Sequence, residues 1–484
     1  MKQKILLQER VCLVFFILAL FLFFPNNASC NEYQQVAGLL DIKTDYSDGA
    51  HNLDFLVRLA KKRGFRVLFV TDHDRMAMQY GLFPFRHLIG LKIEKPSINK
   101  KGAKAYLDMI KNVQDKHPDM ILIPGTESAA HYYWSGSPLK KNLTAHNWEK
   151  HILIVGLEKP EDYKNLPVIH NGFSTKYTSH LLPNLLLPFL VLITGLFLVI
   201  FKGFRRKLGI ILSVIGITLI VSINPLKSSP YDQYQGDEGM APYQFLIDYV
   251  HSKGGMTFWN NMETKSGAAK KGPVFVNTPP HPEVLEQSHS YTGFSALYGA
   301  NITVNEPGKE WDKTLIDFCK GSRPNPPFGI STADFHKDGW AGDPLGKYPT
   351  IFLVKKFDKE SILSAMRSGR MYSFQGNYKT GEILEKFEII DRASGNSGIQ
   401  GEKILSKGPV TVRIVVRSRD RSSRKIRIRL IRNGSLIKVF QGKTPFQTTF
   451  RDDYFKPGEK TYYRLDLRGR GILVSNPIFL KFAK

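Results

Sequence analysis

Cysteine is scarce in this chain: three in 484 residues, Cys12, Cys30 and Cys319. That supply excludes a disulfide framework and a cysteine-rich zinc module. Acidic residues are also short, with 43 Asp and Glu against 68 Lys and Arg and a formal net charge of +25. No Walker loop, glycine-rich dinucleotide fingerprint or Ser-His-Asp signature occurs, so the common sequence marks of nucleotide-binding and serine-hydrolase chemistry are missing. A mean hydropathy of -0.22 excludes a chain built only of lipid-buried helices. What is present is ordinary globular material, 42% hydrophobic and 23% charged, enough for two or three domains. Thirteen histidines, several beside Asp or Glu, make imidazole and carboxylate the supply of metal ligands.

The apolar residues are unevenly spread. A basic start, the run Val11 to Phe24 and the polar exit PNNASCNE give residues 1–30 the pattern of a signal peptide or signal-anchor helix. Cys30 is a candidate for lipidation, although Asn27 stands where a large aliphatic residue is expected. In mid-chain, Leu181 to Phe201 and Leu208 to Ile223 carry no charge. Residues 181–223 therefore read as a transmembrane helical hairpin rather than two core helices, which would show a polar stripe. Its tip KGFRRK is basic and is expected on the cytoplasmic side, with Tyr177 and Tyr231 flanking the other end. The expected location is the cytoplasmic membrane, multi-pass, with the folded segments on the extracytoplasmic side. The positive charge then suits a lipid bilayer with anionic headgroups, or a cell-envelope polymer, rather than nucleic acid.

On both sides of the hairpin, short apolar runs alternate with helix-length spacers. They are Leu39 to Ile42, Val67 to Val70, Met120 to Ile123, Ile152 to Val155, Met256 to Trp259, Phe294 to Leu297 and Phe328 to Ile330. Seven strands separated by helices predict parallel pairing and an α/β barrel assembled from residues 34–176 and 236–378. Ligand-type residues follow the runs: Asp41-Ile-Lys43 and Ser47-Asp48-Gly49, then Thr71-Asp72-His73-Asp74, Gly125-Thr-Glu127 and Ala333-Asp334-Phe-His336. Carboxyl ends of strands are where such barrels place their chemistry.

Together with HILIVG (His151–Gly156), these motifs resemble the PHP (polymerase and histidinol phosphatase) superfamily over roughly Val36 to Arg370. The resemblance implies a distorted (β/α)7 barrel, a cluster of up to three divalent metals and phosphoester hydrolysis. It carries metal ligands onto Asp48, His73, Glu127, His151, Asp334 and His336, and leaves the catalytic acid and base unassigned. The departures are informative. Asp41-Ile42-Lys43 stands where the family has His-x-His, and asparagine, taken as Asn261, stands where it has a histidine after Gly254-Gly255. Asp41 and Asn261 are thus doubtful ligands. Lys43 is expected between Glu127 and Asp334 as an electrostatic substitute for one metal. Zinc, manganese or iron would be held in fewer than three positions. A phosphoesterase and a catalytically impaired binding or scaffolding protein both fit this pattern. His51, His131, His146 and His170 are spare histidines, and His281, in PPHPEV, stands far along the chain from the Gly-Gly strand.

From residue 380 onward the pattern becomes strict alternation, as in Lys425-Ile-Arg-Ile-Arg-Leu, with a hairpin turn signal at Asn433-Gly434. Residues 380–484 read as an immunoglobulin-like β-sandwich, resembling the module that follows the barrel in some membrane-attached relatives. Basic residues exceed acidic ones by 15 from Gly401 onward.

Overall fold

The computed structural model describes residues 33–82, 85–87, 89–264, 269–299, 302–339 and 343–484. The expected amino-terminal signal or anchor helix and the lipidation candidate Cys30 lie outside the described residues.

Seven strands carry the site: β1 (Gln34–Ile42), β2 (Val67–Val70), β3 (Ile121–Ser128), β4 (Ile152–Val155), β5 (Met256–Trp259), β6 (Gly293–Leu297) and β7 (Phe328–Ser331). They lie side by side in the order β7-β6-β5-β4-β3-β2-β1. β2, β4, β5 and β7 are buried throughout, matching a near-continuous apolar sequence broken only by Thr257 in β5 and Ser331 in β7. The segment after β7 returns to β1: Ala333 N–H donates to Leu40 C=O, Phe335 N–H to Asp41 C=O and Lys43 N–H to Phe335 C=O. The carboxyl ends of the first and last strands therefore meet.

Two expectations from the sequence change here. β3 does not stop at Ile123 but runs through Pro124-Gly-Thr-Glu127, so Glu127 is a strand residue. Pairing is parallel for β1/β2, β2/β3, β5/β6 and β6/β7, but β4 runs antiparallel to both β3 and β5. No crossover helix separates β3 from β4. The chain instead makes the short antiparallel pair Tyr133–Ser135 and Thr144–His146 and comes back reversed. The reversal has a use: His151, just before β4, lies at the same end of the sheet as the carboxyl end of β3.

Helices cover this sheet. Leu53–Arg63 is capped by the Asn52 side chain, which accepts from Phe55 N–H, and stops at Gly64 in the left-handed region (φ 89°). It buries Leu53, Leu56, Val57 and Ala60. Ala103–Lys116, Ala241–Ser252 and Glu310–Lys320 repeat this arrangement of one buried face.

Thr178–Val199 and Phe204–Ile223 form a helical hairpin, and both are long and apolar enough to cross a membrane. They approach closely through small residues. A Cβ on Gly209 would stand 2.7 Å from Gly195 O, and one on Gly216 would stand 2.7 Å from Leu192 N. Ser213 lies in the same seam. Leu186, Leu187, Leu190, Ile193, Ile211, Val214 and Ile217 point outward and are exposed. Small residues inside and aliphatics outside are what two helices packing in lipid require.

The carboxy-terminal strands divide between two sheets. Glu382–Asp391, Ser397–Gly398, Val410–Ser418 and Phe446–Asp452 form a four-stranded sheet. Lys425–Arg432, Ser435–Lys443, Lys460–Arg468 and Ile472–Ser475 continue the main sheet through Met371–Gln375. The turn at Asn433-Gly434 has φ of 47° and 76°, as a two-residue hairpin needs. Part of the basic surplus is already paired, Arg429 with Glu306 and Asp466, and Arg432 with Asp452.

One buried pair ties this region to helix Glu310–Lys320. Arg464 Nε and Nη2 each donate to Asp312 at 2.7 Å, and both side chains are fully buried. Tyr462 Oη donates to the same carboxylate at 2.7 Å. Asp312→Ala would strand a buried guanidinium, so a loss of about 3–5 kcal/mol is expected in denaturant unfolding. An unchanged unfolding midpoint would show that the pair is dispensable.

Candidate metal centre

The loop after β1 is shaped by a residue that sequence reasoning did not single out. The buried Asp72 carboxylate accepts from Thr44 N–H (2.9 Å), Thr44 Oγ1 (2.8 Å), Ser47 N–H (3.1 Å) and Ser47 Oγ (2.6 Å). Four donors on one carboxylate fix the turn that presents Asp48. Gly49 completes it, since a Cβ there would lie 2.4 Å from Lys43 O. Next along the chain, His73 forms a bridge with Glu127, made by Asp74 N–H to Glu127 C=O and Glu127 N–H to Asp72 C=O. Asp74 itself accepts from Ser128 Oγ at 2.6 Å. Asp72, His73 and Asp74 therefore have three different tasks.

Asp48, His73 and His336 converge, with one ligand atom from each lying within 4.8 Å of the others. His336 Nε2 is 3.3 Å and His73 Nε2 is 3.7 Å from Asp48 Oδ2, and His73 Nε2 is also 3.7 Å from Glu127 Oε2. Burial and the Lys43 ammonium hold His73 down, to about 3, so its imidazole is neutral. Burial works against charge on Asp48, but the His336 hydrogen bond and the nearby His73 push its carboxyl well below the usual range. Burial opposes charge on His336, but the Asp48 hydrogen bond and the Asp334 carboxylate raise it, to about 9, so this imidazole holds a proton against Asp48 that a metal would displace. With that proton released, one ionised carboxylate and two neutral imidazoles are the donor chemistry of zinc, manganese or iron. These residues fit a divalent ion.

Asp41, Glu127 and Asp334 form a second group within the same separation. Here the cation is supplied by the chain. Lys43 Nζ is 2.5 Å from Asp41 Oδ1, 2.7 Å from Glu127 Oε2 and 3.0 Å from Thr71 O, and it is fully buried. Burial opposes its charge, and the carboxylates of Asp41, Glu127 and Asp334 overcome that, keeping the ammonium protonated far above its ordinary range. The expected partner Asp334 is replaced by Asp41, whose backbone takes φ of 64°. Two residues away on the same strand end, Asp41 is nearer than the loop residue Asp334, whose side chain is 46% exposed. With an ammonium already against two of its carboxylates, this group does not fit a further divalent ion unless Lys43 leaves.

Asparagine also enters the network one residue earlier than expected. Asn260 Nδ2 donates to Asp41 Oδ2 (2.8 Å) and Glu127 Oε1 (2.7 Å), while its Oδ1 accepts from Ser295 Oγ (2.5 Å). Asn261, at φ of 52°, lines the cavity instead. His151 Nδ1 lies 3.2 Å from Glu127 Oε1. Glu127 thus faces Lys43, His73, His151 and Asn260, and is the hub of the site.

These residues open into a cavity of about 300 Å³, also lined by Arg75, Trp148, Glu149, Lys271 and His281. His281 comes into the site despite its distance along the chain. Its Nδ1 is 3.0 Å from Pro279 O, and its buried Nε2 has no hydrogen-bond partner among the described residues. Because a carbonyl only accepts, Nδ1 carries the proton; burial keeps the ring neutral, so Nε2 is a lone pair. The other spare histidines have other company: His51 packs on Phe55, His146 stacks on Tyr133, His131 packs near Tyr231, and His170 bonds Tyr132 Oη.

No family model matches the sequence, and no curated protein matches it. Among solved structures, the chain is similar to a two-domain protein from Bacteroides vulgatus described as containing a predicted PHP-like metal-dependent phosphoesterase. That likeness has 10% identity and a TM-score of 0.35 over 90% of each chain. It is also similar to a metal-dependent phosphoesterase, so described, from Bifidobacterium adolescentis. Here identity is 13% and the TM-score 0.31, over 69% of this chain and 98% of that one.

Proposed function

We propose that this chain is a membrane-attached, PHP-type metallohydrolase that cleaves phosphoesters on the outer side of the cytoplasmic membrane. Residues 34–176 and 236–378 would form one seven-stranded barrel, with the long hairpin crossing the bilayer between them and an immunoglobulin-like module at 380–484. The observation that carries the proposal is the convergence of Asp48, His73 and His336 from three distant stretches of sequence. The basic tip Lys202 to Lys207 supports the orientation.

A divalent ion held by Asp48, His73 and His336 would supply Lewis acidity toward a phosphoryl oxygen and acidify a water. The chain does the rest. Arg75, whose Nη atoms donate to Ala77 and Ala129 carbonyls, and Lys271, ion-paired with Glu149, bring positive charge to the cavity lining that would favour a phosphate. His281 Nε2 offers a buried proton acceptor. Glu127 holds His151 and Lys43 in place through its two oxygens.

Turnover of a nitrophenyl phosphate monoester or diester with added manganese tests the activity. The full-length protein should cleave one of them and lose that cleavage in Asp48→Ala. No turnover of either would leave the second reading, a binding or scaffolding protein. The ammonium of Lys43 within the second carboxylate group specifically favours that alternative, because it removes a metal position from a multimetal reaction. A reporter placed between Lys202 and Arg206 tests the orientation, and an extracytoplasmic signal there would overturn it.

A further inference from the structure

A two-stranded ribbon, Ala77–Gly81 paired with Gly90–Glu94, projects between β2 and helix Ala103–Lys116 in the sequence and belongs to no larger sheet. Its register places Met78 opposite Ile93 and Tyr80 opposite Leu91. Leu82 N–H donates to Ile89 C=O, which continues the ladder by one more pair. Because side chains alternate along strands, all six of these residues share one face. The opposite face carries Ala77, Gln79, Gly81, Gly90, Lys92 and Glu94. Four of the six apolar side chains are mostly exposed: Leu82 59%, Ile89 54%, Leu91 65% and Ile93 53%. The other two pack on the protein, Met78 against the Tyr132, Ala145 and Ile169 cluster and Tyr80 against Trp134 and Tyr234. A lone two-stranded ribbon is marginal in water, and contiguous exposed aliphatics mark a contact surface.

The ribbon is fastened to the base of the helical hairpin. Helix Phe204–Ile223 ends at Asn224, and eight residues later Asp232 Oδ2 meets His87 Nε2 at 2.8 Å and Lys227 Nζ at 3.1 Å. Gly81 N–H donates to Tyr234 Oη at 2.6 Å, and the Arg86 guanidinium lies 4.8 Å over the Tyr234 ring. Asn224, Lys227, Gln79 and His87 line one small cavity of about 70 Å³. The turn end of the ribbon is therefore held by the segment that follows the apolar helices. Phe173, bridged to Lys227 in that same zone, is 83% exposed.

We propose that the ribbon is a second membrane contact, which lays Leu82, Ile89, Leu91 and Ile93 into the interfacial layer of the bilayer beside the helical hairpin. The occupant of this face is lipid, because the face shares its base with the outward aliphatic surface of the two helices. The proposal rests on the reading that those helices cross a membrane. Two points of attachment would fix the tilt of the folded part and the distance of the cavity from the headgroups.

Spin labels test it in the full chain, reconstituted in nanodiscs of phosphatidylethanolamine and phosphatidylglycerol. Single cysteines at Leu91→Cys, Ile93→Cys, Lys92→Cys and Leu190→Cys would be labelled in a background of Cys12→Ser, Cys30→Ser and Cys319→Ala. Labels at 91, 93 and 190 should be relaxed more by oxygen than by a water-soluble nickel chelate, and the label at 92 should show the reverse. If 190 is lipid-like while 91 and 93 match 92, the ribbon faces water and the proposal is overturned with the membrane reading intact. Labels at 91 and 93 shielded from both reagents would mean that protein covers the face, which also overturns it. A water-exposed label at 190 would remove the membrane reading and this proposal together.

Discussion

Lys43→Met is expected to lower the unfolding free energy by about 3–5 kcal/mol, because it strands two buried carboxylates without a counter-charge. Asp41 is fully buried and Glu127 nearly so, and both touch the ammonium directly. Methionine fills much of the same space, so packing changes little and the loss is electrostatic. Two companion measurements separate this account from a generic core defect. Manganese or zinc should raise the melting temperature of Lys43→Met more than that of the parent, since a divalent ion would then replace the missing cation. Adding Asp41→Asn to Lys43→Met should recover part of the loss by removing one of the two stranded charges. A Lys43→Met protein that melts like the parent, with or without metal, would show that the ammonium is not a substitute cation.

Asp48→Ala and His336→Ala are expected to behave in the opposite way, folding normally and failing to bind metal. Both side chains stand at the open end of the sheet, partly exposed, and neither neutralises a buried charge alone. Each removes one of three converging donors. Hydrolysis of a phosphoester should fall by at least about a hundred-fold, while stability in a chelator drops by no more than the partly exposed Asp48–His336 pair contributes, about 1 kcal/mol. Metal content and turnover measured on the same samples check this. Full activity in either variant would move the chemistry elsewhere in the cavity. On this proposal the two groups divide the work: Asp48, His73 and His336 would receive a cation, while Asp41 and Glu127 enclose the Lys43 ammonium.

Much of this was legible from the string of residues. β2, β4 and β5 occupy the positions that their apolar runs mark, because a strand buried on both faces leaves a near-continuous signal. The loops after β1, β2 and β7 carry the ligand types that converge at Asp48, His73 and His336. The reversed direction of β4 was not legible, since periodicity reports a strand but not its sense. Lys43 was read as a substitute cation, but its nearer partner depended on the positive φ of Asp41, which an aspartate conceals where a glycine would have announced it. The same cause displaced the asparagine. Beyond the end of β5 the alternation rule lapses, and Asn261 at φ of 52° turns away while Asn260 enters the network. Asp72 was hidden by its neighbours, because its task is to hold a loop by four hydrogen bonds rather than to present a ligand. The ribbon Ala77–Glu94 did carry a period-2 signal at Met78, Tyr80 and Leu82 and at Ile89, Leu91 and Ile93, but no third strand follows to suggest a sheet.

The metal content of the purified full-length protein tests the central assertion most directly. Elemental analysis after exhaustive dialysis should give about one divalent ion per chain, lost in Asp48→Ala and raised in the double variant Lys43→His/Asn260→His. Three tightly held ions in the parent would contradict it, because no room is left for them while Lys43 bridges Asp41 and Glu127.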